Sequence, residues 1–150
     1  MKFFALASAF FALAQAEIQP SKSVQLSFTS THERFVNRPL SSGSPANAIG
    51  FYPDSSTLFV GYQLPDGRIR VGGVDTWLTI NSAKQLAVVS AQTTGPANFD
   101  VTSEGNLVFN GSDTFSILNE SGNWIVYTSD ATFPATAYIG PSVKIAVHYY

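Results

Sequence analysis

Two stretches of the chain decide its fold: PDGRIRVGGVDTWLTIN at residues 65–81 and SEGNLVFNGSDTFSILN at residues 103–119. Each stretch places an acidic residue and a glycine, Gly67 or Gly105, between runs rich in β-branched and apolar residues. Glycine adopts positive φ at no steric cost, so both positions are typical of a β-hairpin turn. Each stretch then contains an Asp-Thr-aromatic triplet, at residues 75–77 or 113–115, and ends with an asparagine. The sequence therefore predicts two equivalent hairpins, each followed by equivalent strands.

The two stretches are related by an internal repeat of about 38 residues, which aligns Trp77 with Phe115 and Leu86 with Trp124. Exchange of bulky apolar groups indicates core packing, so Trp77 and Phe115 are expected at equivalent inward positions. Units of about 40 residues with four short strands, within residues 17–150, a stretch a little over three times as long, predict a single small β-trefoil-like domain. Residues 24–62 do not align to the unit, which leaves a β-sandwich or a partly open barrel as the alternative.

The rest of the chain also reads as all-β, because short runs of Val, Ile, Phe, Tyr, Trp and Thr alternate with Gly, Pro, Asn, Asp and Ser clusters. No amphipathic helical segment follows the N-terminal region. The candidate strands are Val24–Thr29, Ala48–Tyr52, Leu58–Gln63, Arg68–Gly72, Trp77–Ile80, Gln85–Ser90, Phe99–Thr102, Asn106–Phe109, Thr114–Leu118, Trp124–Thr128 and Val143–Tyr149.

The N-terminus has the layout of a secretory signal peptide. Lys2 precedes a run of apolar residues, and Ala14 and Ala16 supply small residues at the positions that a signal peptidase reads. The run is too short for a membrane-spanning helix. We therefore predict a signal peptide at residues 1–16, cleavage before Glu17, one all-β domain over residues 17–150, and a secreted, extracellular or cell-wall location without membrane attachment after cleavage.

The charge and cysteine content of the chain limit the kinds of partner and chemistry that we expect. Eight Lys and Arg face ten Asp and Glu, the net charge is −2, and the chain holds no basic block. Nucleic acid is therefore an unexpected partner, because phosphate binding requires clustered cations. The absence of cysteine removes Cys nucleophiles, Cys-ligated zinc and disulfides.

Catalytic residues are scarce. His32 and His148 are the two histidines, and neither has metal-ligand spacing. Paired carboxylates could in principle cleave a glycoside, and the candidates are Asp54, Asp66, Asp75, Asp100, Glu104 and Asp113. Asp54, Asp66 and Glu104 lie in turn signals, where acidic residues are common for backbone reasons. Asp75 and Asp113 precede Thr at repeat-equivalent positions, which a turn or strand-cap role explains. We expect no enzyme activity, no cofactor and no metal site.

Binding and modification candidates come from two other residue types. A tyrosine can stack on a sugar while its hydroxyl stays hydrated, and the six tyrosines are Tyr52, Tyr62, Tyr127, Tyr138, Tyr149 and Tyr150. The sequons Asn110-Gly111-Ser112 and Asn119-Glu120-Ser121 make Asn110 and Asn119 candidate N-glycosylation sites in a secreted chain.

Two short motifs carry a family resemblance. They are Ser-Gly-Ser-Pro at residues 42–45, and Phe-x-Val-x-x-x-Gly-x-Leu-x-Phe at residues 99–109, which is followed by Gly111, Phe115 and Trp-x-x-Tyr at residues 124–127. The chain thereby resembles fungal secreted cell wall proteins of the PhiA type and related IgE-binding, allergen-like proteins. The resemblance implies a filamentous fungus, secretion, and a wall-associated or host-facing role without catalysis. Members of that family usually contain cysteines, including one where this chain has Ser116, Ile117 and Leu118.

The leading functional expectation is a secreted, non-enzymatic wall protein that binds cell-wall polysaccharide or has a structural role. The alternative is an effector or allergen-like protein that binds a host protein, for example through the stretch 29–47, which lacks a strand signal. A small glycosidase is a weaker alternative. The sequence names neither the ligand nor the oligomeric state.

Overall fold

The computed structural model describes residues 22–43, 47–55, 57–72, 75–90 and 95–150. They form strands and no helix, which confirms the all-β prediction. The strands are β1 (Lys22–Thr29), β2 (Ser41–Gly43), β3 (Ala48–Phe51), β4 (Gly61–Gln63), β5 (Ile69–Arg70), β6 (Thr76–Ile80), β7 (Leu86–Ser90), β8 (Asp100–Val101), β9 (Leu107–Val108), β10 (Phe115–Glu120), β11 (Asn123–Thr128) and β12 (Lys144–Tyr149). The predicted signal peptide at residues 1–16 lies outside the described residues.

Ten strands form one antiparallel sheet, whose main path runs β10-β11-β3-β7-β6-β5-β4-β1-β12, with β2 paired to β3. Strands β8 and β9 form a separate hairpin. That hairpin joins the edge of β12 through a bridge from Asn106 to Ala146. The described part of the chain contains no helix long and apolar enough to cross a membrane.

The large sheet folds over one hydrophobic core. Val24 and Leu26 of β1 lie in the same buried cluster as Ile117 of β10 and Val126 of β11, although these strands are far apart along the sheet. Successive side chains of a strand point to opposite faces, so residues between the core positions reach the outer face. There a smaller cluster forms around Ala48, Ile125 and Tyr127.

This arrangement matches the sandwich-like alternative rather than the β-trefoil. The ends of the main sheet approach each other where Phe115 and Val143 exchange backbone hydrogen bonds of 2.8 and 3.0 Å. These contacts are isolated bridges, not a continuous ladder between β10 and β12. The sheet is therefore not closed into a barrel, which a trefoil requires. The described residues before Gly61 also build no third repeat unit, because β1 lies between β4 and β12.

The repeat itself is present in the hairpins. In the first, Tyr62 pairs with Arg70 and Gln63 with Ile69. In the second, Asp100 pairs with Val108 and Val101 with Leu107, a shift of 38 residues throughout. Gly67 and Gly105 both have positive φ, at 91° and 87°. The prediction of two equivalent glycine turns is therefore confirmed.

The expected equivalence of Trp77 and Phe115 is wrong, although both are buried. Leu78 pairs with Val88 in the first unit, and Ile117 with Val126 in the second. The counterparts Val88 and Val126 are 38 residues apart, whereas Leu78 and Ile117 are 39 apart.

Relative to the first unit, the second has one extra residue before β10. Between matching ladder pairs, the connection from β10 to β11 is shorter by one residue than the connection from β6 to β7, so the register is restored by Trp124. A shift of one residue reverses the faces of a strand. Phe115 therefore points into the main core, while Trp77 lies on the opposite face under the guanidinium of Arg68, 4.9 Å from the ring centroid.

The stretch 29–47, which has no strand signal in the sequence, is partly buried and contains a strand. Phe35 and Leu40 within it are buried in the core. Ser41–Gly43 forms β2, a strand without a predicted counterpart. The Ser-Pro half of the Ser-Gly-Ser-Pro motif lies outside the described residues.

Candidate ligand-binding site

The six tyrosines divide into exposed and packed groups. Four are exposed: Tyr62, Tyr138, Tyr149 and Tyr150, at 40%, 63%, 44% and 76%. Tyr52 is half-buried, and its hydroxyl donates a 2.7 Å hydrogen bond to the carbonyl of Ala48. Tyr127 is buried against Phe133, and its hydroxyl donates a hydrogen bond to Glu120. Burial, together with that hydrogen bond, raises the pKa of Tyr127 to about 12. Tyr127 is thus a packed residue and not a surface platform.

One exposed tyrosine, Tyr149, lies in a cleft of about 430 Å³ at the end of β1, β4 and β12. We call it the Tyr149 cleft; its polar lining consists of Lys22, Gln63, Asp66, Asp100 and Tyr149. The volume falls within the usual range for small-molecule sites.

Strand alternation places Tyr149 in this cleft. Ile145 and Val147 point into the core, and Tyr149 continues the same face one step beyond it. Tyr149 lies opposite Val24 in the β1–β12 ladder. Next to that position, Lys22 pairs with Gln63 of β4. Three strands from distant parts of the sequence therefore end together at the cleft.

Two contacts fix the orientation of the Tyr149 ring. Its hydroxyl donates a 2.8 Å hydrogen bond to Oε1 of Gln63. The Lys22 ammonium lies 5.1 Å from the ring centroid, a favourable cation–π geometry. Burial raises the pKa of Tyr149, so its hydroxyl remains a protonated donor at neutral pH. The amide NH₂ of Gln63 has no hydrogen-bond partner among the described residues.

The turn between β4 and β5 forms the facing wall. Asp66 accepts hydrogen bonds from the backbone N–H of Arg68 at 3.1 Å and from its Nε at 2.8 Å. The backbone N–H of Arg68, followed by its side chain, lowers the pKa of Asp66. Asp66 therefore stays ionised and paired with Arg68.

Close packing of the two hairpins joins this wall to the next. The backbone N–H of Phe99 donates a 3.1 Å hydrogen bond to the carbonyl of Gly67. A Cβ at Gly67 would collide with the carbonyl oxygen of Phe99. The second hairpin therefore rests directly on the turn of the first, which brings Asp100 of β8 to the cleft.

The cleft combines an aromatic ring, amide and hydroxyl groups, one ammonium and two carboxylates, one of which is neutralised by Arg68. Such a lining suits a ligand with many hydroxyl groups and no strong charge. Asp66 itself is poorly suited to general-acid catalysis. A general acid needs a raised pKa, whereas the pKa of Asp66 is lowered.

The histidines lie outside this cleft. His148 is on the opposite face of β12 from Tyr149, and its Nε2 lies 2.7 Å from Oγ of Ser27. His32 is exposed in the turn after β1 and packs against Phe35 with ring centroids 5.4 Å apart. No group of three or more His, Asp or Glu side chains able to hold a metal ion occurs within the described ranges.

The two sequons differ in setting. Asn110 is exposed at a turn, with φ of 53°. Asn119 is half-buried in β10, and its Oδ1 accepts a 3.1 Å hydrogen bond from the N–H of Gly122.

Sequence reasoning identified Tyr149 only as one of six candidates and gave no binding role to Lys22 or Gln63. The pairing of the first described strand with the last is what assembles this site. No local pattern announces a pairing between residues so far apart in the chain.

Comparison of the chain with protein-family models, curated proteins and solved structures gives no match.

Proposed function

We propose that this is a secreted, non-enzymatic, cell-wall-associated protein that binds a neutral polysaccharide in the Tyr149 cleft. The signal-peptide pattern of residues 1–16 and the resemblance to PhiA-type proteins support export and wall association. The observation that carries the binding proposal is Tyr149, whose ring is partly exposed yet held by Gln63 and Lys22.

A pre-oriented aromatic ring favours sugar binding, because little conformational entropy is lost on contact with the ligand. The apolar face of a pyranose packs on the ring, while its hydroxyls exchange hydrogen bonds with Gln63, Lys22 and Asp100. The lowered pKa of Asp66 makes glycoside cleavage at this cleft a weaker proposal.

A second candidate function has its own observation. Leu58, Val60 and Tyr62 are exposed, whereas Phe59 and Gly61 between them are buried, so the three exposed side chains share a face. Tyr62 and Gln63 are adjacent in β4 and therefore point to opposite faces. The stripe of Leu58, Val60 and Tyr62 is the surface on which a host protein would bind in the effector alternative.

Retention on insoluble chitin, β-glucan and cellulose tests the proposal. Tyr149→Ala should weaken binding to the retained polysaccharide about tenfold, which corresponds to roughly 1.4 kcal/mol. Tyr62→Ala is the matched control, because Tyr62 is similarly exposed on the other face, and it should bind like the wild type. Equal loss in both variants, or no retention of the wild type on any of the three, would refute glycan binding at this cleft. Loss in Tyr62→Ala alone would favour the exposed stripe.

A further inference from the structure

A second cleft lies beside the sequon at Asn110. It has a volume of about 460 Å³ and is lined by residues that include Ile80, Lys84, Asn110, Phe115, Thr128 and Asp130. We call it the Asn110 cleft. None of these residues lines the Tyr149 cleft.

Asn110 occupies the tip of a tight turn at the mouth of this cleft. Phe109 and Ser112 flank the turn and exchange two backbone hydrogen bonds of 3.0 Å. Asn110 is exposed, and its side-chain amide has no hydrogen bond to any described residue. Its Nδ2 is therefore free to carry a substituent without loss of a native contact.

The cleft offers both surfaces that a sugar needs. Ile80 and Phe109, both half-buried, supply apolar area in its wall. On the rim, Lys84 and Asp130 form a 2.7 Å ion pair, and Thr128 donates a 2.6 Å hydrogen bond to Asp130. The Lys84 ammonium, then the Thr128 hydroxyl, lowers the pKa of Asp130, so the rim carries an ionised acceptor.

We propose that Asn110 carries an N-linked glycan whose first sugars lie in the Asn110 cleft and stabilise the fold. The proposal rests on export through a eukaryotic secretory pathway, which is part of the proposed function. It goes beyond the sequon, because it assigns a docking site to the glycan at Asn110. Asn119 lines neither the Asn110 cleft nor the Tyr149 cleft, and its amide oxygen accepts the hydrogen bond from the N–H of Gly122 in the β10–β11 turn.

The covalent step is a glycosyl transfer from a lipid-linked oligosaccharide diphosphate, which is supplied by the cell that exports the protein. Nδ2 of Asn110 attacks the anomeric carbon, and the new C–N bond replaces the C–O bond to the diphosphate. The amide loses one proton to the transferase, and the lipid diphosphate leaves. No oxidant or reductant is involved.

The test compares the full chain made in a yeast secretory host with the same chain made in bacteria, where no N-glycan is added. Asn110→Gln and Asn119→Gln are prepared in both hosts. Peptide mass spectrometry reports the modification, and thermal melting reports docking. The melting temperature of the wild type minus that of Asn110→Gln should be about 2–4 °C larger for protein made in yeast than for protein made in bacteria. Asn119→Gln should show no such excess.

Hydrogen exchange gives a second readout. The glycosylated protein should exchange more slowly at residues 80–84 and 109–112 than the unglycosylated protein, and trimming the glycan to its first sugar should keep that protection. Exported protein with unmodified Asn110, or modified protein without added stability and protection, would overturn the inference. Unmodified protein retained inside yeast would overturn export as well, whereas failure of Tyr149→Ala to weaken polysaccharide binding would affect only the proposed function.

Discussion

The two repeat units, residues 61–90 and 99–128, each form two hairpins, β4–β5 and β6–β7 in the first and β8–β9 and β10–β11 in the second, but in different surroundings. In the first unit, the hairpin β4–β5 belongs to the large sheet, and its turn supports the second hairpin. In the second unit, β8–β9 stands apart from the main sheet, and the carbonyl of Gly105 accepts a hydrogen bond from Val147 of β12. Similar local sequences thus form similar glycine turns, while the tertiary contacts of each turn determine how much it contributes to the free energy of unfolding.

The largest expected difference between the units concerns their aromatic residues. Phe115→Ala removes a side chain that is 1% exposed in the main core, and should destabilise the fold by about 3–5 kcal/mol. Trp77→Ala should cost about 2 kcal/mol, because Arg68 can relax and water can fill the space left at the outer face. Denaturant unfolding of both variants measures the difference. Equal losses would show that the two positions are equivalent after all.

The two turn glycines provide the next comparison. Gly105→Ala places a side chain at positive φ with no atom within 4 Å, so its cost should be about 1–2 kcal/mol of backbone strain. Gly67→Ala adds a collision with the carbonyl of Phe99, and should cost about 2 kcal/mol more. Thermal and urea unfolding of the matched pair tests this. A Gly105 variant that is the less stable of the two would contradict the packing of the hairpins.

Local patterns in the sequence predicted much of this fold. The turns at Gly67 and Gly105 were found because their chemistry is contained within a few residues. Each predicted strand has a counterpart in the structure, although β4, β5, β8 and β9 are shorter than predicted, and β4 begins at Gly61 rather than at Leu58. The short strand β2 was missed because SSG lacks any β-former and owes its pairing to β3.

The faces and the site were less predictable, because they depend on distant contacts. Trp77 and Phe115 each end an Asp-Thr-aromatic triplet, yet one inserted residue places their side chains on opposite faces of the sheet. Lys22, Gln63 and Tyr149 meet only because β1 lies between β4 and β12. An alignment by local similarity contains neither the inserted residue nor the strand order.

The smallest expected difference is electrostatic and lies in the same turns. Asp66 is paired with Arg68, whereas its repeat counterpart Glu104 has no ion pair among the described residues. The folded-state pKa of Asp66 is below its ordinary value, so the ionised carboxylate contributes stability at neutral pH, and that contribution disappears as the pH falls through the folded pKa. Both side chains are substantially exposed, so solvent screening limits the effect to about 0.5 kcal/mol.

Asp66→Asn should therefore be slightly less stable than the wild type at pH 7, and the difference should shrink as the pH is lowered towards 2, because the wild-type carboxyl then loses its charge. Glu104→Gln should match the wild type at pH 7, since it removes no ion pair. Urea unfolding at both pH values, with the ionic strength held constant, measures the two differences. A loss in Asp66→Asn that is the same at both pH values would show that the charge of Asp66 does not cause it, because the wild-type carboxyl loses its charge as the pH falls. A loss confined to neutral pH would assign the effect to the charge, and the first turn would then differ from the second in electrostatics as well as in packing.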